Sequence, residues 1–152
     1  LKKVILIGPD EEAFSRVAPE FKEKVEFLSR ERLLEMEETE VSAFVKNQVG
    51  EYPLYISIDK DVLCETDADT NWSQGDMRLS TMLKCLGAVR EKCAEGIFRI
   101  LGVDICGECD VTEPGNSALN DMANAALLEF FTSTDVGEDI EENKNGTSGG
   151  NR

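Results

Sequence analysis

Leu54-Tyr55-Ile56-Ser57-Ile58-Asp59-Lys60-Asp61-Val62-Leu63 is an apolar run that ends in two carboxylates two residues apart. The β-branched and aromatic residues of Tyr52 to Ile58 predict a strand, the third of the chain. At period 2, positions i and i+2 point the same way, which puts Asp59 and Asp61 on one face at the strand's carboxyl end. Two like charges so placed repel unless a cation sits between them. In open α/β sheets that end is also where ligands bind.

The flanking sequence alternates strands with helices. Val4-Ile5-Leu6-Ile7, stopped by Gly8-Pro9, reads as a buried parallel strand. Asp10 is placed to cap a helix reaching about Ala18, with Glu11 and Glu12 in its first turn. Val25 to Leu28 reads as a second strand. Ser29 resembles a cap for Glu31 to Met36, and Thr39 for a helix with Val41, Phe44, Val45 and Val49 on one face, ended by Gly50. Beyond the central strand, Cys64 to Arg78 is a long polar loop, a length that is usually functional or mobile. Leu79, Met82, Leu83, Leu86 and Val89 fall at helical spacing and predict a helix over Ser80 to Lys92. Ile97 to Ile105 is the fourth strand and Cys106 to Asn116 a second polar loop. Ala118 to Phe131 closes the pattern as a helix burying Leu119, Met122, Ala126, Leu127 and Phe130. The alternation implies an α/β fold with a parallel sheet over residues 1–131. Thr132 to Arg152 is acidic, then rich in Gly, Ser and Asn, and reads as a disordered tail.

A chain of 152 residues suits one domain. Its net charge of -15 argues against nucleic acid and anionic membranes as partners. No apolar run is long enough to span a bilayer, and Leu1-Lys2-Lys3-Val4 is not a signal peptide. Five cysteines, an odd count without a secretory signal, point to reduced thiols and a cytoplasmic location. The absence of histidine rules out Ser-His-Asp and Cys-His catalysis, and any His-containing zinc set, within this chain. A chain that opens directly on a strand is expected to be cut from something longer.

Ser57-Ile58-Asp59-Lys60-Asp61 resembles the Ser-x-Asp-x-Asp signature of the arginase-like ureohydrolases (arginase, agmatinase, formimidoylglutamase). The downstream order of elements is similar too. A long loop leads to a helix opening Arg78-Leu79-Ser80, and a later strand ends Gly102-Val103-Asp104-Ile105-Cys106-Gly107-Glu108. The resemblance implies a three-layer αβα fold around a mainly parallel sheet. It also implies a two-manganese centre, with Asp59 bridging both ions and Asp61 ligating one. Glu108 lies one residue beyond the family spacing from Asp104 and corresponds to an acid that orients the substrate. Cys64 and Glu65 replace the family's Asp-Pro, and a lone Gly75 replaces its Gly-Gly. The family's remaining metal ligands, a His and an Asp-x-His-x-Asp, lie upstream of a segment like Leu1 to Gly8. The resemblance therefore covers the C-terminal portion of such a domain, Leu1 to Phe131. The parent would hydrolyse a carbon–nitrogen bond of a guanidino compound, using hydroxide generated between two Mn²⁺ ions. This chain is expected to be metal-poor and inactive, and its open sheet edge to favour self-association.

The same residues admit other readings. Asp59-Lys60-Asp61-Val62-Leu63 after an apolar strand also looks like the first motif of haloacid dehalogenase-like phosphatases, with Asp59 as nucleophile and Asp61 as acid. A non-catalytic, degenerate arginase-like binding protein is a third reading, and simple helix capping or solvation of the two aspartates a fourth. Asp67-Ala68-Asp69-Thr70-Asn71 begins like a calcium loop, but Trp72 stands where Gly must turn and Arg78 where the bidentate Glu belongs. Trp72 itself either packs against a substrate or anchors its loop. Cys106-Gly107-Glu108-Cys109 would need Cys64 or Cys85 to converge on it to hold zinc; ordinary thiols are expected. Gly8-Pro9-Asp10 lacks the second glycine of a phosphate cradle.

Overall fold

The computed structural model describes residues 1–96, 98–109 and 117–133. Strands β1 (Val4–Ile7) and β2 (Val25–Leu28) pair in parallel, with Val4 opposite Val25 and Ile7 opposite Leu28. Strands β3 (Leu54–Asp59) and β4 (Ile100–Cys106) form a second parallel pair. The helices are α1 (Glu11–Ser15), α2 (Pro19–Lys22), α3 (Arg30–Glu35), α4 (Glu38–Gln48), α5 (Leu79–Ala94) and α6 (Ser117–Thr132). The chain is thus mixed α/β with parallel pairing, and its strands form two small sheets. The sheets meet through side chains. Ile7 of β1 and Ile56 of β3 both pack against the two hydrophobic clusters of the core.

Alternation along β3 decides which face is covered. Leu54, Ile56 and Ile58 point inward, while Tyr55, Ser57 and Asp59 are exposed. The register continues each face across β4. Tyr55 lies opposite Gly102, Ser57 opposite Asp104 and Asp59 opposite Cys106. Against the inner face lie Val41 and Val45 of α4 and Cys85, Ala88 and Val89 of α5. A second cluster joins Ile58 and Leu63 to Met82 and Leu86 of α5 and to Ala123 and Leu127 of α6. Leu101 sits at a register shift between Leu54 and Tyr55, unopposed in the ladder.

Several local expectations are corrected. Asp10 does cap α1, accepting the Ala13 N–H at 2.6 Å, but the helix stops at Ser15 and Pro19 opens the separate α2. Thr39 is not the cap of α4. Glu37 is, through a capping box in which the Glu40 carboxylate accepts the Glu37 N–H at 2.8 Å. The third strand starts at Leu54, past Pro53, and runs one residue further, to Asp59. The fourth begins at Ile100 and reaches Cys106; Ile97 lies outside the described residues. On α6, Leu127 is buried as expected, but Met122 is exposed and Asn120 and Ala123 are buried instead. Most of the second polar loop and of the tail, residues 110–116 and 134–152, lies outside the described residues.

The long loop after β3 is held at many points. Cys64 N–H donates to Met77 O at 2.8 Å, Met77 N–H to Val62 O at 3.0 Å and Gly75 N–H to Leu63 O at 3.0 Å. A Cβ on Gly75 would overlap the Val62 carbonyl, which explains glycine there. Gln74 donates to Leu63 O and Ala68 O, and Ala68 is wholly buried. The buried Asn120 amide accepts from Asp69 N and donates to Asp69 O, tying the loop to α6. Asp67, first residue of the calcium-like stretch, accepts the Leu79 N–H at 2.8 Å and pairs with Arg78. It serves the start of α5. Trp72 is 88% exposed, so it does not anchor the loop.

Candidate functional site

The chain leaves β3 at Asp59 through a single 3-10 turn, Lys60–Val62. Asp59 is its N-cap: its Oδ1 accepts the Asp61 N–H at 3.1 Å. Asp61 therefore lies beyond the strand, and period 2 does not govern the pair. The cap brings the two residues together instead. Gly107, at φ +82°, turns the chain after β4 against the same place. A Cβ there would lie 2.9 Å from Asp59 Oδ1 and 3.0 Å from Asp61 N, so a side chain would fill the space beside the turn.

The two carboxylates differ in environment. Asp59 is exposed, beside the outer face of β3 and β4. Asp61 is half-buried. Its Oδ2 accepts from Ser73 Oγ at 3.3 Å, while its Oδ1 is buried without a hydrogen-bond partner. A buried carboxylate oxygen left unpaired is costly, and the usual remedies are a donor, a water or a cation.

The surrounding face is acidic. Ser57 Oγ donates to Asp104 Oδ1 at 2.8 Å. The Tyr55 phenol also hydrogen-bonds Asp104, which raises its pKa. Cys106 lies opposite Asp59 in the ladder. Its thiol is pushed above the ordinary value, first by desolvation and then by the charges of Asp59, Asp104 and Asp61.

Glu108 is brought to the same end of the molecule but is engaged elsewhere. Its Oε1 accepts from Lys60 Nζ and from Asn124 Nδ2, the latter at 3.0 Å. Lys60 Nζ also donates to Asn124 Oδ1 at 2.8 Å. Lys60 is wholly buried, an unusual state for lysine that its two partners make tenable. Burial pushes the Glu108 pKa up, but the hydrogen bonds from Lys60 and Asn124 and the Lys60 charge outweigh it and hold the carboxyl below the usual range. Sequence reading missed Lys60 and Asn124. Nothing in the pattern marked Lys60 as buried, because it lies past the strand in the 3-10 turn and lysine reads as a surface residue. The signal for Asn124 was only its place one turn from Asn120.

The donor set can be tested against a divalent ion. The unpaired Asp61 Oδ1 and the adjacent Asp59 are hard oxygen donors of the right kind. Among the described residues, however, no three His, Cys, Asp or Glu side chains converge to hold a metal. The two aspartates therefore fit part of a coordination sphere. Cys64, Cys85, Cys93, Cys106 and Cys109 are all free thiols, and Cys85 is packed inside the core beneath α4.

No family model matches this sequence. A protein of Thermotoga maritima, described only as uncharacterized, is 35% identical over 85 residues. The match takes in 55% of this chain and 32% of that protein, so the chain spans about a third of the length of its relative. No helix among the described residues is long and apolar enough to cross a membrane.

Proposed function

We propose that this chain is the C-terminal portion of an arginase-like, three-layer α/β domain whose parent is a metal-dependent ureohydrolase. The observation that carries the reading is the buried, unpartnered Oδ1 of Asp61 beside Asp59, the N-cap of its turn, at the carboxyl end of a parallel strand. Supporting it is the Ser57-x-Asp59-x-Asp61 pattern, which is that of the family. Asp59 and Asp61 are the residues that would hold Mn²⁺. Bound divalent ions supply deprotonated water near neutral pH, the nucleophile that guanidino hydrolysis needs.

The chain's own residues account for the rest of this half-site. Ser73 orients Asp61 through Oδ2, leaving Oδ1 for the ion. The Asp61 N–H fixes Asp59 Oδ1, so one Asp59 oxygen is positioned before any ion arrives. Glu108 is assigned a different role from substrate orientation. Its Oε1 is committed to Lys60 and Asn124, and it secures the turn beneath the aspartates.

Two carboxylates are too few for tight binding, so the chain alone would bind Mn²⁺ weakly and release no urea from guanidino compounds. Calorimetric titration checks this. A weak site that disappears in Asp61→Asn is expected, and two tight sites in the isolated chain would overturn it. A non-catalytic binding protein is the second reading, favoured by the small donor set among the described residues. An Asp-x-His-x-Asp motif in the gene upstream of Leu1 would favour the enzyme, and its absence the binding protein.

A further inference from the structure

Trp72 is the single tryptophan of the chain, and at 88% exposure it is among its most exposed large apolar residues. Its loop is not free to fold it away. Thr70 Oγ1 donates to the Ser73 carbonyl, closing a turn around Trp72. On one side Asn120 holds Asp69 by both backbone groups. On the other Gln74 reaches Leu63 O at 2.5 Å and Ala68 O at 3.2 Å. The next residue, Ser73, donates to Asp61 Oδ2. The indole is therefore carried on a pinned turn one residue from a direct contact with the aspartate pair.

Through Ser73 this turn touches an acidic cluster. Asp59, Asp61 and Asp104 gather at this end of β3 and β4, and Asp69 belongs to the same turn. Such a rim attracts cations and disfavours anions. An indole face is the aromatic surface that best attracts an organic cation, and guanidinium also stacks on it as a flat group.

We propose that Trp72 is a specificity-determining residue: its indole packs against the organic cationic group, of guanidinium type, of a ligand held at the Asp59–Asp61 site. The assignment rests on the reading of that pair as the functional site and names the part of the ligand that this loop selects. The acidic rim supplies long-range attraction, and the indole distinguishes a flat, weakly hydrated cation from a compact ammonium or a neutral isostere.

Because Trp72 is alone, its fluorescence reports this contact without labelling. The probes are butylguanidinium, butylammonium and neutral butylurea, added to the full chain with and without Mn²⁺. Butylguanidinium is expected to change the emission saturably, and butylurea to bind at least about tenfold more weakly. By calorimetry, Trp72→Phe should keep the butylguanidinium affinity within about twofold. Trp72→Leu should lose about two- to fivefold, the size of an exposed cation–π contact. Equal binding of butylguanidinium and butylurea, unchanged affinity in Trp72→Leu, or no response of the wild-type chain would each overturn the proposal. The metal reading fails separately. Butylguanidinium binding that depends on Trp72, in a chain whose Mn²⁺ binding is absent or indifferent to Asp61→Asn, would retain the aromatic contact and remove the metal.

Discussion

At the scale of single residues, Gly107 is where backbone conformation and site geometry meet. Its φ of +82° is strained for any L side chain, and a Cβ there would crowd Asp59 Oδ1 at 2.9 Å and Lys60 N at 2.9 Å. Gly96 provides the control, with φ +76° and no atom within 4 Å of its Cβ position. Both changes to alanine carry the conformational cost of about 1 kcal/mol or more. Only Gly107→Ala adds displacement of the capped turn, for a total of about 2–3 kcal/mol. Urea midpoints of the two variants check the difference, and equal midpoints would show that the turn yields freely. Cys85 gives a second residue-scale expectation. Burial pushes its thiol up to about 11 and shuts out reagent, so at pH 8 it should escape alkylation in the folded chain, while Cys106, whose thiol is also raised but is exposed, is labelled slowly. Mass spectrometry of the alkylated peptides distinguishes them.

At the scale of elements, the buried Lys60 couples the turn after β3 to the segment after β4 and to α6 through Glu108 and Asn124. Its two ends are unequal, because the Lys60 side chain is fully buried whereas that of Glu108 is 55% exposed. Removing the exposed partner strands a buried ammonium, so Glu108→Gln should cost about 1–3 kcal/mol, a buried-pair value discounted for solvent screening. Removing the buried partner leaves a carboxylate that water can reach, so Lys60→Met should cost less. Urea denaturation of both variants tests this asymmetry. The pH dependence has a definite sign. The folded pKa of Glu108 is lowered, so its contribution is fully present above the unfolded value, about 4.3. It is lost as pH falls through the lower folded value. That acid limb should vanish in Glu108→Gln, and its persistence would assign it to other carboxylates. Hydropathy did not expose this linkage, since patterning treats lysine as surface. The same limit misplaced the buried face of α6. Asn120 is inside because it pairs with the Asp69 backbone, a long-range bond that displaces Met122 to the surface. Helix α5 was legible because apolar packing alone determines its face, with Met82, Cys85, Leu86, Ala88 and Val89 buried.

At the scale of the whole molecule, the alternation of elements was readable but their assembly was not. Strand pairing depends on contacts far apart in sequence, and the strands among the described residues form two separate pairs. Parallel strands are ordinarily covered on both faces. Here the inner face of β3 and β4 meets α4 and α5, while Tyr55 on the outer face is 59% exposed and Leu101, at the register shift, is also 59% exposed. An open face of this kind favours association. The net charge of -15 opposes it, since each copy repels the next. Salt weakens that repulsion by shortening the range of the charges, to about 8 Å at 0.15 M, and leaves apolar contact largely intact. Association should therefore strengthen as ionic strength rises, the opposite of an assembly held by ion pairs. Light scattering over a range of protein and salt concentrations measures this. Leu101→Glu should weaken the association at every salt concentration, because it removes exposed apolar surface and adds a further negative charge to the strand pair that carries Asp59 and Asp104. A monomer independent of both protein and salt concentration would show that the outer face of β3 and β4 does not mediate self-association.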